Sequence, residues 1–243
     1  MNLIIDIGNT RVKFAVADGG RIVASWTSER IDEGTVAAVT AEWPAVSKAV
    51  VSSTGVDPRP VMRALSQRIG RCLLFEPGVP VPLSCDYASP ETLGADRLAA
   101  AVGVAAQYPG RNVLVVDFGT AVTVDLVTAD GTFRGGFISP GAGTRFRALH
   151  DYTARLPLCS PTDEVRPLGD STRSCIEQGV MSGLAYEIEG HIARIGEKND
   201  DLLIIFAGGD AKYFVKRIKN AIFADCDPVL CGLDRILEYN VSD

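Results

Sequence analysis

Two short segments carry the residues best suited to phosphate chemistry: Asp6-Ile7-Gly8-Asn9-Thr10 and Asp117-Phe118-Gly119-Thr120-Ala121. Glycine in each lets the backbone approach a ligand closely, so that main-chain N–H groups can point at phosphate oxygens. Asn9, Thr10 and Thr120 add short side-chain donors that lose little entropy when ordered. An aspartate beside a phosphate is repulsive unless a cation lies between them, so Asp6 and Asp117 together imply bound Mg2+ or a monovalent ion. Lys13 shares a strand face with Arg11 by the two-residue period and could reach a phosphate as a point charge.

Taken singly, D-x-G-x-T is an ordinary hairpin turn. The surrounding elements change that reading. Leu3-Ile4-Ile5 precedes the first copy and Val113-Leu114-Val115-Val116 the second, each a short buried-strand pattern. An alternating run follows each turn, then a second glycine turn (Gly19-Gly20, Asp130-Gly131) and a third strand pattern. Strand, D-x-G turn, strand, turn, strand is thus written twice, which predicts an α/β protein of two duplicated domains, 1–110 and 111–243, with the active site between them.

The rest of the chain supplies helices and further candidates. Helices are expected over 32–43, from Pro58 or Pro60, over 95–108, about 143–154, from a cap at Ser171 or Asp170 to about Ile195, over about 211–222 and over 232–239, with a short strand at 228–230. Gly94-Ala95-Asp96-Arg97 opens the alanine-rich helix. Asp96 there has two readings: a first-turn acid stabilised by the helix dipole, or a carboxylate that accepts a substrate hydroxyl proton. Arg97 would offer a bidentate donor to an acidic substrate. Gly208-Gly209-Asp210, between a strand and a helix start, could lie against a base or ribose, and Gly135-Gly136 and Pro140-Gly141 could be turns or cleft lining.

Composition narrows the classes. The 243 residues are 47% hydrophobic and 22% charged with a net charge of −6, so no basic footprint for nucleic acid or an anionic membrane exists. No apolar run reaches the roughly 20 residues of a bilayer span, and the N-terminus lacks signal-peptide features. Six cysteines without a C-x-x-C pair and two histidines, His150 and His191, offer no zinc-ligand spacing. Most of the cysteines are expected as buried or half-buried thiols, in a cytoplasmic protein. No Walker A sequence and no G-x-S-x-G elbow is present, which excludes the P-loop mode and a hydrolase elbow.

The paired turns resemble the two phosphate motifs of the acetate/sugar-kinase, actin and heat-shock ATPase superfamily. Within it the chain is similar to type III pantothenate kinases, through Asp6 to Lys13 (DIGNTRVK), Gly94 to Arg97 (GADR), Asp117 to Thr123 (DFGTAVT) and Gly136 to Gly141 (GFISPG). Leu156-Pro157, Gly169 to Thr172 and Ala207 to Asp210 (AGGD) follow in the expected order. The likeness spans essentially the whole chain. One departure is Ala15, where the family often has Gly after the first strand's Lys-Phe pair. The resemblance implies two ribonuclease H-like (actin-like ATPase) domains and ATP-dependent phosphorylation of pantothenate, the first step of coenzyme A synthesis. It implies Asp96 as catalytic base, a pantothenate pocket from Gly94, Ala95, Asp96, Arg97 and Tyr87, and ATP held by Asp6, Ile7, Gly8, Asn9, Thr10, Arg11, Val12, Lys13 and Thr120. It further implies a monovalent cation, K+ or NH4+, on Asp117, Mg2+ with the nucleotide, and a homodimer in which Thr172 helps close the pantothenate site. The seam Ile176 to Ile195 would suit either a dimer helix or a core helix. A small-sugar or acetate-type kinase and a non-catalytic ATP-sensing protein are the alternatives; the short domains and GADR speak against the first, the retained aspartates against the second.

Overall fold

A computed structural model describes residues 1–199, 201–219 and 221–241. The first sheet is built from β1 (Asn2–Ile7), β2 (Val12–Asp18), β3 (Arg21–Ser28), β4 (Lys48–Ser53) and β5 (Arg71–Phe75), in the order β3-β2-β1-β4-β5. Tight turns join β1, β2 and β3 as antiparallel neighbours, whereas β4 and β5 run parallel to β1 after crossovers through α1 (Glu33–Glu42) and α2 (Arg59–Ser66). All six residues of β1 are buried, as a strand covered by helices on both faces requires. Leu3, Ile5, Phe14, Val16 and Val51 pack on Val36, Val61 and Leu65 of α1 and α2. On the opposite face Ile4, Ala15, Ala17 and Val50 meet α3 (Ala95–Gln107) and α7 (Pro228–Asn240). Ala15 is fully buried there, so the chain has room for the one methyl by which it departs from the family pattern.

α3 and α7 approach each other through glycine. A Cβ on Gly103 would sit 2.1 Å from Pro228 O, and one on Gly232 1.8 Å from Ala99 O. Neither clash could be relieved without separating the helices, which would open the core that Leu233, Ile236 and Leu237 fill. At the sheet end of α7, Asn2 Nδ2 donates to Asp234 and Glu238, both at 2.7 Å, and Lys48 pairs with Glu238 at 3.1 Å. Burial pushes the Asp234 carboxyl up, against the hydrogen bond from Asn2.

The second sheet repeats the plan. β7 (Val113–Phe118), β8 (Ala121–Thr128), β9 (Thr132–Pro140), β10 (Leu203–Ala207) and β11 (Ile222–Phe223) stand in the order β11-β10-β7-β8-β9, and β6 (Ser84–Cys85) pairs with the start of β9. Read from its first strand, this is the same order as the first sheet, which makes the duplication a fact of topology as well as of motif. α4 (Ala142–Asp151) and α5 (Thr172–Gly196) lie between β9 and β10, and the short α6 (Ala211–Phe214) follows β10.

Two compact units result. One comprises Met1–Gly110, Val127–Arg134 and Cys226–Asp243, the other Arg111–Leu126 and Gly135–Asp225. A contiguous division at 110 does not describe them. α7 is coded at the far end of the chain but belongs with the first unit, because its apolar side is complementary to α3 and the first sheet.

Several local expectations are corrected. Residues 228–230 begin a helix and are not a strand: Asp227 accepts from Val229 N at 3.0 Å, and Pro228 occupies the first helical turn. The helix expected over 211–222 spans only Ala211–Phe214 and gives way to β11 at Ile222; Asn220 lies outside the described residues. α4 stops at Asp151. Ile176, Val180, Leu184 and Ile188 are buried in the second unit's own core with Phe118, Phe146 and Phe206, so that seam is not a dimer face. Cysteines 226 and 231 form a disulfide, and Cys85 and Cys175 are exposed, leaving only Cys72 and Cys159 as expected. Among the described residues no helix is long and apolar enough to cross a membrane.

Candidate active site

In the first unit, the turn between β1 and β2 is closed by Gly8 N donating to Arg11 O at 3.0 Å. A Cβ on Gly8 would come within 3.1 Å of that carbonyl, so glycine keeps the turn tight. Gly8 is half-buried and Asn9, Thr10 and Arg11 are exposed at the tip, while Asp6, Ile7 and Val12 are buried at its base. The loop after β4 lies alongside: Thr54 N donates to Ile7 O at 3.1 Å, and a Cβ on Gly55 would meet Asn9 Oδ1 at 3.0 Å. Strand register places Lys13 and Asp6 opposite each other, on the face that α7 covers. Lys13 Nζ pairs with Asp227 at the cap of α7 at 2.8 Å. No sequence signal pointed to Asp227, since it lies more than 200 residues away from Lys13 along the chain.

GADR also sits in the first unit. Gly94 caps α3, and Asp96 in the first turn accepts from Arg97 N at 2.9 Å. A Cβ on Gly94 would lie 2.6 Å from Asp96 Oδ1, so any larger residue would displace that carboxylate. Both readings of Asp96 have a physical basis here: it faces the positive end of a 13-residue helix, and that position also holds it ready as an acceptor. Arg97 is only 6% exposed. Its guanidinium carbon is 5.7 Å from the Tyr87 ring centre and 5.8 Å from that of Phe133, and it donates to Tyr87 Oη at 3.4 Å. Cation–π contact with two rings makes this burial tolerable. Phe133 was not foreseen. It arrives because β6 pairs with the start of β9, setting Cys85 opposite Phe133, and because Arg134 pairs with Asp86 at 2.8 Å.

The second unit presents a matching turn. Gly119 N donates to Ala121 O and Gly141 N to Thr120 O, both at 3.0 Å, and Thr144 Oγ1 donates to Thr120 O at 2.7 Å. Gly141 is forced, since a Cβ would fall 2.1 Å from Gly119 O. Thus Pro140-Gly141 is part of the turn's scaffold, and Thr144 is a further residue that sequence spacing did not single out. At the carboxyl end of neighbouring β10, Gly208 has φ of +90° and its Cβ would lie 2.4 Å from Asp117 Oδ1. Asp210 N donates to Phe118 O at 3.1 Å, and burial pushes the Asp210 carboxyl up while Lys212 opposes this. Asp117, Gly119, Thr120, Gly208 and Asp210 therefore gather beyond the carboxyl ends of two parallel strands, where open α/β sheets bind ligands. Phe118 points the other way, stacked on Phe214 at 4.5 Å and edge-on to Phe206 at 4.9 Å, which anchors the turn in the core.

Thr172 is the first residue of α5, exposed, in the second unit. Its position is fixed by a capping box between Ser171 and Ser174. The close approach of Gly169 to Cys175, where a Cβ would lie 2.4 Å from the backbone nitrogen, fixes it further.

A family model of type III pantothenate kinases matches residues 2–194. A type III pantothenate kinase of Christiangramia forsetii is 39% identical over 241 residues, covering 99% of each chain. The chain belongs to the type III pantothenate kinase family. That family's reaction is the ATP-dependent phosphorylation of pantothenate in coenzyme A biosynthesis, a phosphotransfer to an alcohol group. Solved structures share the fold. A conserved Baf family protein from Campylobacter jejuni superposes with a TM-score of 0.63 at 20% identity, covering 98% of each chain. A ROK family glucokinase from Streptomyces griseus, in complex with glucose and AMPPNP, gives 0.51 at 17%, again covering 98% of each chain.

Proposed function

We propose that this chain phosphorylates the terminal hydroxyl of pantothenate with Asp96 as the general base. The observation that carries the reading is the start of α3, where Gly94 leaves space for the Asp96 carboxylate and Arg97 is buried beside Tyr87. A carboxylate there accepts the hydroxyl proton as the alcohol oxygen bonds to the γ-phosphorus and the bond to the β,γ-bridging oxygen breaks. In a loose transition state its main task is to orient that oxygen. Gly94, Ala95, Arg97 and Tyr87 form the acceptor side, with Thr172 as a further contributor. The turn from Asp6 to Lys13 cradles the phosphates, and Thr120 contributes on the second unit's turn. Direct product detection by mass spectrometry, with pantothenate and ATP supplied, tests the assignment; a purified chain that makes no phosphopantothenate removes it.

The donor set suits the cations this chemistry needs. Among the described residues no group of three or more histidine, cysteine or acidic side chains is placed to hold a metal ion. Mg2+ in phosphoryl-transfer sites is held by one or two carboxylates together with water and the nucleotide's own phosphates, a pattern that Asp6 fits. When bound, it neutralises charge on the phosphoryl oxygens. Asp117 supplies a carboxylate oxygen, the hard donor a monovalent cation takes. Asp117→Asn is expected to weaken potassium activation several-fold, read as the K+ concentration for half-maximal rate. An unchanged activation curve would remove that role from Asp117.

The homodimer belongs to the same reading. With the Ile176 to Ile188 seam committed to the core, the faces left for a second copy include Tyr186, 70% exposed on α5, with Phe137 at 41% and Ile138 at 62% on β9. Phe137 stacks on His191 of α5 at 3.9 Å, so strand and helix present one surface. Sedimentation is expected to return twice the 25.9 kDa chain mass; a monomer would end the proposal.

A further inference from the structure

β4 ends in two serines that behave differently. Ser53 Oγ donates to Val56 O at 2.6 Å and so helps to close the loop beside the first phosphate turn. Ser52 is fully buried, and its hydroxyl has no hydrogen-bond partner among the described residues. Leaving a buried hydroxyl unmade is costly, so such a group in a native structure calls for a physical reason. Register states what lies next to it. Ser52 is the direct partner of Asp6 across the β1–β4 ladder, and Asp6 is in turn the partner of Lys13 across β1–β2. Paired residues share a sheet face, and neighbouring strands are about 4.8 Å apart. Lys13, Asp6 and Ser52 thus form one row at the carboxyl end of β1, two residues beyond Ala15, Ile4 and Val50 on the same face.

We propose that Ser52 is a positioning residue for Asp6, its hydroxyl donating to the carboxylate when Mg·ATP is held and fixing which oxygen faces the ligand. This rests on the reading of Asp6 as the carboxylate on the nucleotide side. A rotation about one or two side-chain bonds is all the contact needs, because the two residues already stand side by side. A serine kept only for packing would have no such dependence on ligand.

Ser52→Ala separates the two roles, read without and with ligand. Expected are an unliganded melting temperature equal to or above wild type, since an unsatisfied hydroxyl is removed, and a smaller melting shift on adding Mg2+ with a non-hydrolysable ATP analogue. The analogue's Kd and the KM for ATP should rise about tenfold, the order of one hydrogen bond to a charged group, with the KM for pantothenate unchanged. Ser52→Cys keeps the size but donates poorly, and should match alanine in binding even if alanine folds badly. A lowered unliganded melting temperature with wild-type affinity in both variants would make Ser52 structural and overturn the proposal, as would wild-type behaviour throughout. A wild-type protein that gains no stability from Mg2+ and the analogue would overturn the nucleotide reading of Asp6 itself, and with it this inference.

Discussion

Asp96→Asn is expected to lower kcat about 10²–10⁴-fold, the range that loss of a general base produces. Asparagine keeps the length of the side chain and an oxygen that can still accept from Arg97 N, so the first turn of α3 should remain intact. What disappears is the ability to take the hydroxyl proton. Kinetics should therefore fail while melting temperature and Mg·ATP binding stay near wild type. A variant with a tenth or more of wild-type turnover would leave Asp96 as a helix-dipole acid and transfer the base role elsewhere. Gly94→Ala reaches the same carboxylate by crowding, since its methyl would occupy the space 2.6 Å from Asp96 Oδ1.

Gly208→Ala is expected to be strongly destabilising at the second unit's turn. Two costs add at that position. The left-handed φ of +90° costs an L-residue about 1–2 kcal/mol, and crowding a filled site costs about 1–3 kcal/mol. Here the Cβ meets Asp117 Oδ1 at 2.4 Å and Phe118 backbone at 2.6 Å, so relief would require moving the turn itself. A total of about 3 kcal/mol corresponds to a fall of roughly 6–12 °C in melting temperature for a chain of this size. Gly209→Ala is the control. Its Cβ meets nothing within 4 Å and it has no positive φ, so stability should change by less than about 0.5 kcal/mol. Equal melting temperatures for the two variants would refute the packing account of Gly208.

The two predictions draw on different kinds of legibility. Asp96 stood out in the sequence because an acid in a first helical turn beside Arg has few neighbours to confuse it with. Local spacing favours a dipole role over a base role, and it was the resemblance carried by GADR that tipped the reading. Gly208 could be read only as a strand–helix corner. Its necessity comes from β10 lying next to β7: Ala207 is the ladder partner of Asp117, and Gly208 follows it at close quarters to Asp117 and Phe118. Pairing of that kind joins residues some ninety positions apart, which no periodicity records.

The same division explains the misread segments. Pro228-Val229-Leu230 is an apolar run whose pattern suits a strand as well as a helix. The Asp227 cap and a helical partner decide for helix. The Ile176 to Ile188 stripe has the spacing that either a core or a dimer face would show, and the aromatic floor of Phe118, Phe146 and Phe206 assigns it to the core.

By itself the sequence determined the duplication, the paired glycine turns, the acidic helix start and the family, because each is written in residues adjacent along the chain. Glycine, aspartate and threonine in a turn carry their chemistry with them wherever the turn is placed. The tertiary structure decided that α7 completes the first unit, that Arg97 is sheathed by Tyr87 and Phe133, that Asp227 meets Lys13, and that Ser52 stands beside Asp6. These are long-range juxtapositions. They are set by which apolar faces exclude water together, and that depends on the whole fold.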